Sequence, residues 1–269
     1  MAYRGAALHR GDSFVYIPPH PYLRPYIANY TITCPQQGNM PPDYTILPSG
    51  SATLRYSINN TGIYDSLRGI NTKACMVGAR ALQFDLLLLI EFRPAGLWPF
   101  IRLPQQELLD NSFSFSDLHA RLNSRISEAL LTSETISAFI ERLDQILLRC
   151  LPAAAPHPQL TQAMTTIVRS DGLADIRQIS MDVGYSERQL RRIFLQRLGV
   201  GMHTFSRIVR INRAVGMMQT VGTGMASIAN EVGFFDQPHF IHDFKALCGV
   251  SPSAYLKKMS VFYNDAYKI

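Results

Sequence analysis

Between Arg188 and Arg213 the sequence places seven arginines, at 188, 191, 192, 197, 207, 210 and 213, and no acidic residue. A guanidinium offers a planar fork of donors that fits guanine O6 and N7 in the major groove, or two phosphate oxygens. A charge run is ordinarily a solvated helix face, but an acid-free one of this length points to an anionic polymer. Residues 1–155 hold 13 basic against 12 acidic residues, whereas residues 156–269 hold 13 against 8, so the formal +6 sits mostly in the second part. The mild basicity, with a pI near 9.2, fits the same partner.

Residue types that would carry catalysis or a metal are sparse. His20, His119, His157, His203, His239 and His242 lack a carboxylate or cysteine at useful spacing. His239 and His242 stand three apart on one helical pattern, with Asp236 and Asp243 near. Surface recognition explains them better than metal binding. There is no G-x-G-x-x-G, P-loop or G-x-S-x-G pattern. The cysteines at 34, 75, 150 and 248 form no CxxC pair and read as thiols of a reducing compartment. We therefore expect no enzyme activity, no catalytic residue, no cofactor and no metal. The N-terminus lacks a signal-peptide apolar region, and the longest aliphatic run, Leu86–Ile90, is far short of the roughly 20 residues a span needs. A cytoplasmic protein is expected.

The elements that must position the arginines come next. After residue 159 the pattern is helical and approximately repeated. Residues 176–194 align with 226–244, each a short amphipathic helix, then Val-Gly-aromatic, a capping residue and a second helix. Val183-Gly184-Tyr185 and Val232-Gly233-Phe234 are the turns, where glycine permits positive φ. Ser186 and Asp236 are N-caps, Ser186 with Gln189 as a capping box. With Leu190, Ile193 and Phe194 inward, Arg188, Arg191 and Arg192 face outward. Phe205–Gln219 reads as a long helix carrying Arg207, Arg210 and Arg213. It would hold the two second helices about one DNA turn, roughly 34 Å, apart.

The first hundred residues read as short strands: Thr53–Ile58 with a turn at Asn59–Gly62, Cys75–Gly78 and Phe84–Phe92. Tyr22, Leu23, Tyr26, Ile27 and Tyr30 suit one short helix or turn. Two helices follow, over Asp117–Leu131 and about Thr135–Cys150, the second capped by Ser133 with its stripe beginning at Ile136. That stripe is a core face or, as the alternative, a dimer contact. Three prolines in Leu151–Gln159 mark a linker. Tyr16, Tyr56, Tyr64, Phe92 and Trp98 would enclose a small effector or simply fill the core; Arg55 and Arg93 would bind an acid or face solvent.

Residues 160–258 resemble the DNA-binding domain of the AraC/XylS family of bacterial transcription regulators. The match is carried by Ser186–Phe194, Leu198-Gly-Val200, Arg210-Ile-Asn-Arg-Ala214, Ile228-Ala229, Gly233–Lys245, Gly249-Val-Ser-Pro252 and Tyr255. The front half resembles a sensor domain of one branch, through Pro18-Pro19, Leu23–Ile27, Pro48-Ser-Gly50, Gly78 and Phe92–Leu97. The family departs from this chain at Met202, commonly proline, at His203, commonly lysine, at Pro238, usually small and polar, and at His242, usually arginine.

The resemblance implies an α+β chain: a β-rich, barrel-like (cupin-like) sensor domain with helices, then an all-α domain of two helix-turn-helix units joined by a long helix. Expected boundaries are 1–150 for sensor and dimerisation, 151–159 linker, 160–258 DNA-binding domain and 259–269 tail. The implied function is sequence-specific transcription regulation, of activator type, controlled by an effector or partner at the front domain. Implied partners are double-stranded promoter DNA, RNA polymerase, a small-molecule effector and a second copy through the 135–150 helix. Ser186, Arg188, Arg191, Arg192, His203, Arg207, Gln237, His239, His242 and Lys245 are the expected DNA contacts. The alternative is a ligand- or protein-binding module with a degenerate DNA domain.

Overall fold

The structure, a computed structural model, describes residues 9–10, 14–34, 44–77, 84–151, 157–219 and 224–258. In chain order the strands are β1 (His9–Arg10), β2 (Phe14–Ile17), β3 (Ile27–Thr33), β4 (Tyr44–Ile46), β5 (Thr53–Asn59), β6 (Gly62–Arg68), β7 (Cys75–Val77), β8 (Leu86–Phe92) and β9 (Ser112–Phe113). Seven of them form one antiparallel sheet in the order β1-β2-β3-β8-β5-β6-β9, and β4 with β7 makes a two-stranded ribbon. The central place of β8 explains its near-continuous apolar run. Pairing with β3 and β5 satisfies both of its edges, and most of its residues are buried. Its one charge, Glu91, is buried but accepts from Asn29 Nδ2 at 2.6 Å and Thr31 Oγ1 at 3.0 Å. The β5–β6 hairpin turns where expected, Asn59 opposite Gly62, with Asn59 Oδ1 accepting from the Thr61 and Gly62 amides.

Helices α1 (Trp98–Ile101), α2 (Phe115–Thr132) and α3 (Ile136–Leu148) complete this domain. Three local readings are corrected. The Tyr22–Tyr30 segment is no single helix: a 3-10 turn at Pro21–Leu23 passes into β3, so Ile27 and Tyr30 belong to the sheet core. Ser133 does not cap α3. It bonds back to the Ala129 carbonyl at 2.6 Å, and Thr135 accepts from the Ala138 amide instead. Ile136 is 51% exposed, so the buried stripe starts at Phe139. That stripe packs into the domain's own core with α2 and the sheet, the first of its two readings. The start of α2 is capped from far away: Asp65 on β6 accepts from Ser114 Oγ, Ser116 N and the Phe115 amide, and its other oxygen from Asn123 Nδ2.

The second part holds α4 (Pro158–Arg169), α5 (Ile176–Asp182), α6 (Glu187–Arg197), α7 (Met202–Met218), α8 (Met225–Glu231), α9 (Gln237–Cys248) and α10 (Pro252–Lys258). The described helices match the expected all-α, two-unit plan. Each unit has its own core, one around Leu190, Phe194 and Phe205, the other around Ile228, Phe240 and Phe244. Residues 152–156 of the linker, Gly78 and the 259–269 tail lie outside the described residues.

The front domain closes onto both cores. Ile70 joins the first cluster and Leu47 the second. Asn212 Nδ2 on α7 donates to the Pro48 carbonyl at 3.2 Å, and the Ala74 amide donates to the Leu247 carbonyl at 2.8 Å. Gly50 runs so close to α7 that a Cβ there would stand 2.7 Å from a Phe205 ring carbon, a space only glycine leaves. Among the described residues no helix is long and apolar enough to cross a membrane.

Candidate nucleic-acid interface

The first unit is built as its sequence dictates. Gly184 takes φ +72°, turning the chain between α5 and α6, and Ser186 then caps α6. The capping box is complete: the Gln189 amide donates to Ser186 Oγ at 3.3 Å and the Ser186 amide to Gln189 Oε1 at 3.0 Å. Leu190 and Phe194 are fully buried, which fixes the rotation of the helix and leaves Arg188, Arg191 and Arg192 exposed. With Leu195 and Ser186 these arginines line a groove of about 400 Å³, bordered across the domain boundary by Gln106. Gln106 lies on a 3-10 turn, Gln105–Leu108, packed against α6. Four of the expected contacts are thereby brought together on one face.

The linker helix α7 spends its arginines differently. Arg207 pairs with Asp243 of α9, its Nε 3.4 Å from Oδ2 and its Nη2 in closer contact with Oδ1. The Arg210 guanidinium lies 5.3 Å above the Phe234 ring, and burial pushes it below the ordinary arginine range. Arg213 reaches Asp171 at 3.5 Å. All three tie α7 to the rest of the domain, so the acid-free run does not present one continuous outward face. The partners come from outside the run. Arg207, expected on DNA, has its guanidinium turned to a carboxylate. His203 is exposed at the start of α7, while Met202 beside it is buried in the first core. Methionine at that departure supplies packing in place of proline's fixed φ.

In the second unit Gly233 takes φ +74° and Asp236 caps α9, accepting from the His239 amide at 2.7 Å. His239, His242 and Lys245 are exposed, Gln237 half-exposed, and Pro238 sits in the first turn, where a missing N–H costs nothing. The His239 ring stands edge-on to Phe234, centroids 5.3 Å apart. Among the described residues no group of three or more His, Cys, Asp or Glu is placed to hold a metal ion.

Sequence reasoning missed Phe235, 91% exposed immediately before the α9 cap. The signal was present: the second turn has one residue more than the first, and that residue is Phe235. It also missed the stacking of Arg197, the last residue of α6, over Trp98 at 4.3 Å. No spacing rule pairs residues from two domains.

A sequence model of the family described as "Helix-turn-helix domain" matches residues 179–258. The chain is 30% identical over 159 residues to the arabinose operon regulatory protein of Escherichia coli, covering 56% of this chain and 54% of that one. It is 36% identical over 93 residues to the transcriptional activator AarP of Providencia stuartii, 35% of this chain and 66% of the relative. Among solved structures, an AraC-type regulator from Chromobacterium violaceum is 26% identical at a TM-score of 0.36, covering 39% of this chain and 95% of that one. The chain spans about half the length of the arabinose regulators it matches. Residues 179–258 thus match a helix-turn-helix domain, and over its second part the chain is similar to AraC-type transcription regulators.

Proposed function

We propose that this protein is a sequence-specific DNA-binding transcription regulator whose front domain governs the DNA-binding units. The observation that carries the reading is α6, a helix locked by its cap and its buried Leu190 and Phe194 so that Arg188, Arg191 and Arg192 share one exposed face. Such a helix enters the major groove and reads guanines or clamps phosphates. Arg207 stands as a positioning residue that sets α9 against α7, and Phe235 as an added apolar contact for a thymine methyl or sugar. Gln237, His239, His242 and Lys245 complete the second, weaker reader. The burial of Met202 in the first core supports an intact domain over a degenerate one.

The boundaries proposed are 1–150, 151–159, 160–258 and 259–269. A fragment starting at residue 156 should fold and bind DNA, at lower stability because Leu47 and Ile70 no longer cover its cores. Contact with RNA polymerase belongs to the activator reading. A second copy, if it docks on the front domain, meets the exposed Leu131 and Ile136 at the α2–α3 corner, since the α3 stripe is buried. The test is selection of binding sites from a random DNA pool at two salt concentrations. An enriched motif with two blocks about one turn apart, weakened steeply by salt, supports the reading. Salt-sensitive binding without a motif overturns it in favour of a module acting through a partner.

A further inference from the structure

The front domain reaches between the two helix-turn-helix units through a short finger. Leu47–Gly50 follows β4, and Ile70–Ala74 connects β6 to β7. The two segments pair where the Ser49 amide donates to the Asn71 carbonyl at 3.2 Å. Residues 47–52, 70 and 71 are buried. Buried loop backbone must find partners for its polar groups, and here the partners lie on the DNA-binding domain. The Pro48 carbonyl accepts from Asn212 of α7, and the Ala74 amide donates to the Leu247 carbonyl of α9. Ile70 enters the first core and Leu47 the second, while Gly50 lies against the Phe205 ring. From Phe205 to Asn212 the finger follows α7 for about two turns.

The finger is itself anchored. The Asp110 carboxylate accepts from the Thr72 amide and hydroxyl, both at 2.6 Å, and the Asp110 amide donates to the Ile70 carbonyl at 2.9 Å. Asp110 closely follows the Gln105–Leu108 turn that packs against α6, and Trp98 beneath Arg197 holds the far end of that helix. One folded piece therefore touches α6, α7 and α9 together. The ties the two units make without it lie nearer the surface. Along α7, Phe205, Ile208 and Val209 go to the first core, and Ile211, Ala214 and Val215 to the second. The Arg207–Asp243 and Arg213–Asp171 pairs are partly exposed, and Leu173, which covers the Gly233 turn, is 50% exposed. Exposed ion pairs hold such a joint weakly.

We propose that the finger fixes the separation and mutual rotation of α6 and α9, so that the full chain, and not the DNA-binding domain alone, sets the spacing between the two DNA blocks. The consequence for DNA rests on the regulator reading above; the clamping of the two units does not. One base pair added between the blocks moves the second by about 3.4 Å and turns it by about 35°. Two readers on a hinge can follow that change, whereas two readers on a splint lose one block.

The full-length protein is titrated with duplexes carrying its selected site, with the spacing between blocks changed by one base pair in either direction. The parent should lose at least about ten-fold in affinity for both. Gly50→Val sets a branched side chain against the Phe205 ring, and Leu47→Ala withdraws the finger from the second core. Each should shrink that loss to under about three-fold. Leu131→Ala, on the exposed α2–α3 corner, should keep the parent's discrimination. Circular dichroism confirms that each variant is folded. Without DNA, residual dipolar couplings of the α6 and α9 amides should fit one alignment in the parent and two unequal ones in the finger variants. A parent that tolerates the altered spacings overturns the finger's role. So do finger variants that keep the parent's discrimination, or that lose affinity equally at every spacing. If no motif is selected, the regulator reading falls and the couplings decide the clamp: one alignment in the finger variants overturns it, and two leave it standing.

Discussion

The two helix-turn-helix units share one architecture and differ in chemistry. Both have a glycine at positive φ in the turn, a side-chain cap, and buried leucine or phenylalanine at matched places on the second helix. Yet α6 turns three arginines outward, whereas α9 offers one lysine, two histidines and a half-exposed glutamine, and ties Asp243 back to α7. Folding needs only the buried stripe and the turn; reading DNA needs what the stripe leaves over. A repeat can therefore keep its fold while its two faces drift to unequal strength.

The first prediction concerns what the units share. Phe194→Ala and Phe240→Ala should each cost about 3–5 kcal/mol, because both rings are fully buried. Urea unfolding checks it, and a loss under 1.5 kcal/mol in only one variant would mean the units are not built alike.

What they do not share is tested next. Arg191→Ala should weaken binding to a selected site by about 1–3 kcal/mol with folding intact, while His242→Ala should cost under about 1 kcal/mol. Titration of labelled duplex measures both, and the reverse order would make α9 the principal reader. The Lys245→Ala variant sharpens the contrast further: if Lys245 holds a phosphate, the slope of log affinity against log salt falls by about 0.9.

A smaller effect separates Arg207 from the α6 arginines. Arg207→Ala should lower stability by about 1 kcal/mol through loss of the partly exposed Asp243 pair. Asp243→Asn should lose affinity for the same DNA site in parallel with it. If Arg207→Ala weakens DNA binding while Asp243→Asn does not, Arg207 touches DNA directly.

The smallest effect is a pH dependence confined to the first unit. His157 caps α4, its Nδ1 accepting from the Leu160 amide at 3.4 Å. Burial pushes its pKa below the ordinary histidine range, with Arg197 adding to the effect. The unfolded chain therefore binds this proton first. The stability it confers is present above about pH 6.5 and lost as the pH falls through the folded value. Between pH 7.5 and 5.0 the parent should lose more stability than His157→Asn, which keeps a capping oxygen. Equal losses in urea titrations would show that the cap is not titrating.

Much of the recognition helix was legible because its determinants lie within one or two turns of one another. Ser186 and Gln189 are three apart, Leu190 and Phe194 four, and the glycine turn directly precedes them. The same local logic placed the Asn59–Gly62 hairpin, β8 and α7 within a few residues. It failed where a segment had two local answers: Tyr22–Tyr30 fits a helical spacing, yet pairing with β2 and β8 made its last four residues strand.

The sequence by itself determined the repeated unit, its caps and its three outward arginines, because each is an interaction between neighbours a few residues apart. Only the tertiary structure decided the fate of the other arginines. Arg207, Arg210 and Arg213 met Asp243, Phe234 and Asp171, and Arg197 met Trp98. It also decided that Asp65 would cap α2 across 50 residues, and that Trp98 would line a chamber between domains. A charge is visible in a sequence, but its partner is chosen by packing. No local pattern encodes a contact between segments that folding alone brings together.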